Sequence, residues 1–117
     1  MKYKRSQRVS ELLKREISQI IFFTLKDPAI KPVTVTFVKV TDDLKHASIY
    51  YRVLGDESAK AGASKGLERA KRFIRFEIGQ RTELRFVPEI EFFYDEGLDE
   101  AARIELLLHQ IKESDVS

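Results

Sequence analysis

Apolar residues in this chain recur first at steps of three and four, then at steps of two, then at three and four again. That change of period restricts the fold more than any other feature of the sequence. Val9, Leu12, Leu13, Ile17, Ile20 and Ile21 form one helical stripe, which predicts an amphipathic helix over residues 7–25. Ser6 stands where an N-cap would, and Pro28 closes the region, because the residue before proline avoids the α conformation. Residues 33–41 (VTVTFVKVT) then alternate, with Val33, Val35 and Phe37 on one side, as in a half-buried strand. Val38 and Val40 break that parity, so either both faces are covered at the strand's end or a bulge shifts the register. Asp42-Asp43 supplies turn chemistry, and residues 46–54 alternate again through Ala47, Ile49, Tyr51 and Val53. The short connection predicts an antiparallel hairpin, closed by Gly55-Asp56.

Residues 57–81 return to the helical period. Ala63, Leu67, Ala70, Ile74 and Ile78 share one face; Lys65, Arg69 and Arg72 share the other, with Arg75 at its edge. Gly62 and Gly66 each weaken the first half by about 1 kcal/mol relative to alanine, leaving room for two helices with a kink in place of one rod. Gly79 sits where a helix-stop residue would. Residues 88–94 (PEIEFFY) predict a third strand, with Ile90, Phe92 and Tyr94 facing one way. Leu98 to Ile111 predicts a last helix with Ala101, Ile104, Leu107, Leu108 and Ile111 on its apolar face, and residues 113–117 should fray. Three strands with one apolar face each, covered by amphipathic helices, make a two-layer α+β sandwich. With no linker or internal repeat, residues 1–112 read as a single domain.

Charge is unevenly spread. Residues 1–85 hold 19 of the 21 Lys/Arg and 10 of the 19 Asp/Glu, a local balance of +9, whereas residues 86–117 carry −7. A basic body with an acidic end suggests a nucleic-acid face, with an ordinary solvated surface as the plain alternative. The chain has no cysteine, which removes disulfides, thiolate ligands and cysteine nucleophiles. Lys2, Lys4 and Arg5 follow Met1 with no apolar run long enough for a signal peptide or a membrane span, so a cytoplasmic protein without a membrane partner is expected.

Catalytic chemistry finds little support. His46 and His109 are isolated, outside any metal-ligand spacing. Asp42-Asp43 and Asp95-Glu96 are adjacent carboxylates, better explained as turn and strand-end residues than as a cooperating acid and base. Lys65-Gly66 lacks the spacing of a phosphate loop. No metal and no cofactor is expected. The two helices, by contrast, carry basic faces opposite their core stripes: Lys4, Arg8 and Arg15 on the first, with Lys14 at its margin, and Lys65, Arg69 and Arg72 on the second. Such faces contact phosphates with little reading of sequence. Tyr3, Tyr50 and Phe76 are stacking candidates, although packing beneath a neighbouring element is the favoured role for Phe76. A protein-interaction module docking its basic faces on an acidic partner is the alternative class. A small metal-independent enzyme using Asp42, Asp43 and His46 is a third.

RVSELLKREISQII (8–21), LKDPAI (25–30), VTVTFVKVTDDLKHASIYYRVLG (33–55), FIRFEIG (73–79) and LRFVPEIEFFYDEG (84–97) together resemble the bacterial ribosome-binding factor A family, over residues 5–111. The resemblance implies a type II KH-like fold, α-β-β-α-α-β, here with an additional C-terminal helix. It implies a noncatalytic assembly factor that binds the small ribosomal subunit and its rRNA; a monomer is expected. Such a factor assists late maturation near the 5′ end of that RNA, notably in the cold, and an assembly GTPase promotes its release. Where an ordinary KH domain has a GxxG loop, this family has an Ala-x-Gly kink. The matching residues are Ala70, Lys71 and Arg72, with arginine in the glycine's place. The RNA surface expected is the corner of Lys65, Arg69, Lys71, Arg72 and Arg75, extended by Lys4, Arg5, Arg8, Lys14 and Arg15 and by Arg81 and Arg85 before the third strand.

Overall fold

The computed structural model describes residues 4–97. The predicted last helix, the frayed tail, Tyr3 and His109 lie outside those residues. The elements are α1 (Arg5–Gln19), which runs on into a π-helical turn (Ile20–Thr24), then β1 (Val33–Val40), β2 (His46–Val53), α2 (Glu57–Arg81) and β3 (Glu89–Tyr94). β1 and β2 form the antiparallel hairpin. α2 then crosses over and delivers β3 parallel to β2, so the sheet order is β1-β2-β3 with β2 central.

The periodicities bury the faces they mark. Leu13, Ile17, Ile20, Ile49, Leu67, Ile74, Ile78 and Ile90 are fully buried, so the stripes of both helices meet the inner face of the sheet. A bulge resolves the parity change in β1: Val35 faces Tyr51 and Phe37 faces Tyr50, leaving Thr36 as the extra residue. The Thr36 hydroxyl donates to the buried Asp95 carboxylate at 2.6 Å, tying the bulge to the end of β3.

Several helix ends differ from expectation. Ser6 is inside α1, not at its N-cap, which is Lys4. Ser6 is buried, and its hydroxyl donates to Asp42 in the hairpin turn at 3.2 Å. Ser10 likewise accepts from the Val40 amide at 3.1 Å, so the small hydroxyls of α1 clamp it to the hairpin. The helical register widens at Ile20, whose carbonyl accepts from Leu25, five residues on. This π turn leaves Phe22 and Phe23 exposed. α2 is one continuous helix of 25 residues, with no break at Ala70, Lys71 or Arg72. All three are good helix formers, and arginine has no ease in the left-handed region that would let it end the hydrogen-bond ladder as glycine could. Gly79 is within α2 rather than beyond its end, which is set at Thr82. Asp56 caps the start, accepting from the Ala59 amide.

Leu44 closes the hairpin with φ of +62°, the left-handed conformation that glycine or asparagine usually fills, at a cost of order 1–2 kcal/mol.

The two glycines of the first half of α2 should respond in opposite ways to alanine. A Cβ on Gly66 would stand 2.9 Å from Cγ1 of Ile30, a fully buried side chain with no room to retreat. One on Gly62 would meet only Ala29, at 3.9 Å. Gly66→Ala is expected to lower stability by about 1–3 kcal/mol through overpacking, and Gly62→Ala to raise it by about 0.5–1 kcal/mol through lost chain entropy in the unfolded state. Urea midpoints of the two variants check both signs.

Candidate nucleic-acid interface

α1 and α2 both lie on the inner face of the sheet, so the sides opposite their stripes face solvent. There the basic residues divide by partner. Arg5, Arg8 and Lys14 on α1, Lys65 and Arg72 on α2, and Arg85 in the α2–β3 loop are exposed and have no side-chain hydrogen bond or ion pair among the described residues. Lys65 and Arg72 are seven residues apart, two turns along one line of the helix, or about 10 Å. Phe76 continues that line one turn further and is 62% exposed. The packing expected for Phe76 is therefore not found; its ring is free to stack. Tyr50 is the reverse case, buried at the centre of the sheet between Phe37 and Phe93.

The other cations of the expected surface are engaged. Arg75 donates to the Val87 carbonyl at 2.9 Å and the Pro88 carbonyl at 3.1 Å, and pairs with Glu89. It anchors the entry to β3. Arg81 donates to Glu77 and to the Thr24 hydroxyl, joining the end of α2 to the π turn. Lys71 bonds Glu68 at 3.1 Å and Glu91 at 3.2 Å. Burial would pull its ammonium pKa down, but those two carboxylates outweigh burial and raise it above the ordinary lysine value. Lys4 and Arg15 make long pairs with Asp42 and Glu16, at 3.9 and 3.7 Å.

Arg69 has a structural partner that sequence reasoning misses. Asp27, in the KDP segment after the π turn, accepts from the Ala29 amide at 3.0 Å and from the Arg69 guanidinium at 2.9 Å. One carboxylate thus shapes the turn before β1 and ties it to α2, beside the close approach of Ile30 to Gly66. The available signal is Asp-Pro itself, a turn-forming pair at a helix end. The Ala29 amide first, and then Arg69, hold the Asp27 carboxyl below the ordinary aspartate value.

Among the described residues, no three His, Asp or Glu side chains gather as a metal site would need, and no helix is long and apolar enough to cross a membrane. Asp43, a candidate with Asp42 and His46 for an enzyme site, accepts from the Thr41 hydroxyl and the Lys45 amide, and those bonds lower its pKa. That is the role of a turn residue.

Fold and surface together define a class: a small two-layer α+β domain that presents unpaired cations and an aromatic ring from the helices on one side of its sheet. Comparison with known proteins narrows the class. The family model for ribosome-binding factor A matches residues 5–108. Ribosome-binding factor A of Halothermothrix orenii is 45% identical over 117 residues, all of this chain and 96% of that protein. The crystal structure of ribosome-binding factor A from Thermus thermophilus superposes with a TM-score of 0.70 at 26% identity, covering 80% of this chain and 99% of that one. A homology model of the Thermus thermophilus factor, fitted into a cryo-EM map of a 30S–ribosome-binding factor A complex, gives 0.61 at 28% identity over 72% of this chain and 88% of that one. The chain belongs to the ribosome-binding factor A family.

The Asp27 carboxyl contributes stability above the unfolded aspartate pKa, and that contribution is lost as pH falls through its lowered folded value. In Arg69→Gln the Asp27 midpoint, followed by carboxyl 13C NMR, is expected to rise. It should stay below that of an unfolded peptide, because the Ala29 amide remains. An unmoved midpoint would mean that the ion pair is not formed in solution.

Proposed function

We propose that this protein is a noncatalytic assembly factor of the small ribosomal subunit. It binds the subunit and its rRNA in the cytoplasm and assists late maturation of the 5′ end region of that RNA. It acts as a monomer, in demand in the cold, and an assembly GTPase promotes its release. The observation that carries this reading is the family membership of a chain whose relative was placed in a complex with the 30S subunit. The element order supports treating the domain as a type II KH-like fold in which the two central helices have merged into α2.

The chemistry fits phosphate rather than base recognition. Lys65 and Arg72 on α2, and Arg5, Arg8 and Lys14 on α1, are cations whose ordinary partners are absent among the described residues, so a phosphate binds them without first breaking an ion pair. Arg69, Lys71 and Arg75 stand in the same corner, and each would have to leave a protein partner to do so. In this reading Arg72 supplies a charge where the relatives' glycine would supply close backbone approach.

Binding to isolated small and large subunits across a salt series tests the proposal. Lys65→Glu/Arg72→Glu should leave the melting temperature unchanged, since both residues are exposed and unpaired. It should weaken binding to the small subunit at least about tenfold and flatten the log–log salt dependence by roughly one unit per lost phosphate contact. Arg75→Gln should instead lower the melting temperature, because it frees two carbonyls at the start of β3. Salt-insensitive binding untouched by the charge reversal would move the reading to an acidic protein partner.

A further inference from the structure

One groove of about 680 Å³ lies at the opposite end of α1 from the π turn, between the first turns of that helix, the β1–β2 hairpin and the α2–β3 loop. Its walls are apolar: Val9, Leu44, Leu84, Phe86, Val87 and Pro88. Arg5, Lys45 and Arg85 also line it, one from each of the three elements. All three are exposed and have no ion pair or side-chain hydrogen bond among the described residues. The groove's two carboxylates are occupied. Asp43 accepts from the Thr41 hydroxyl and the Lys45 amide within its own turn, and Glu89 pairs with Arg75. His46 completes the lining.

Three features that cost the free protein stability converge there. Phe86 is 80% exposed, although it stands between residues packed against the core. Leu44 takes a backbone conformation that disfavours it. α1 has no acidic residue in its own first turn, and Asp42 of the hairpin answers only Lys4 and Ser6 there, so Arg5 and Arg8 keep like charge at the positive end of the helix dipole. An anion beside Arg5 relieves the third feature, and a flat apolar group against Phe86 relieves the first. A ligand that carries both, on a flexible chain of anions, is an unstacked nucleotide.

We propose, on the RNA-binding reading above, that this groove takes one unpaired nucleotide of single-stranded RNA. The base stacks on Phe86 against the apolar wall, and the flanking phosphates lie on Arg5, Lys45 and Arg85. The surface thus has two parts: the helix faces hold backbone of any form, and the groove selects for a base free of its helix.

Fluorescence anisotropy of the full chain with a labelled decaadenylate and with a ten-base-pair A-U duplex tests the proposal, alongside binding to small subunits. Phe86→Ala should weaken decaadenylate binding about tenfold, within the roughly 5- to 150-fold range of a lost aromatic–base stack. It should leave duplex binding unchanged, and Phe86→Trp should restore the single-strand affinity. Arg85→Glu should weaken decaadenylate too. Since Phe86 and Arg85 are exposed, melting temperatures should match the wild type. The proposal is overturned if Phe86→Ala binds decaadenylate like the wild type, or if the wild type binds small subunits but not decaadenylate. It is also overturned if Phe86→Ala loses subunit binding with single-strand affinity intact, since a protein segment would then fill the groove. A wild type that binds no subunit would instead sink the assembly-factor reading.

Discussion

The burial of one sheet face beneath two helices is the constraint on which the remaining features depend. β2 is central, so Ile49 is flanked on both sides by strands and fully buried beneath the helix layer. Neither helix can roll without exposing leucine and isoleucine side chains that are now fully buried. Fully burying each such side chain contributes about 1.5–3 kcal/mol. The register of the sheet, the tilt of the helices and the direction of their outer faces are thus one solution. A cation opposite Leu67 or Ile74 has to point into solvent. That is a consequence of packing, not a separate design of the surface.

Packing does not decide which of those cations remain available. The chain uses part of its positive charge as fasteners. Arg75 holds the carbonyls at the start of β3, Arg81 joins α2 to the π turn, Arg69 joins α2 to the KDP turn, and Lys71 bridges α2 and β3. These residues fall at places where backbone enters or leaves the sandwich and carbonyls or carboxylates need a partner. Other exposed cations, Lys65 and Arg72 among them, have no partner among the described residues. A basic surface read from sequence as one patch is therefore two populations, and electrostatic attraction of a distant polyanion draws on both while close contact favours the unpaired ones.

Hydrophobic period is enough to find every described strand and both described helices, because amphipathic elements must repeat their apolar residues at the spacing of their geometry. The parity slip at Val38 is also legible as a bulge or a doubly covered strand. Three-dimensional pairing alone chooses between them and shows Thr36 turned toward Asp95, 59 residues away. Long-range polar pairs of this kind leave no periodic trace. The same limit hides Asp27–Arg69 and makes Ser6 look like a cap. Phe76 departs from expectation for a related reason: the wheel places it beside Arg69, and only the course of the neighbouring chain shows that nothing described covers it. Glycine spacing misleads in α2, where Gly66 marks the approach of Ile30 and not a break.

The unbroken course of α2 changes how a domain of this shape can hold RNA. A kink between two helices turns backbone amides outward and lets a phosphate approach the main chain, which requires glycine's freedom at the bend. With alanine, lysine and arginine at residues 70–72, the amides of that segment are spent on the helical ladder, as the continuous helix shows. Contact there must pass through side chains, and long flexible ones reach phosphate at a cost in rotamer entropy that a fixed amide does not incur. On the RNA-binding reading proposed above, preorganised contact has to be met elsewhere than at the middle of α2. At the end of the sandwich where Ser6, Ser10 and Arg75 clamp the hairpin, α1 and the α2–β3 loop, it is the backbone carrying the exposed side chains that is already held in place.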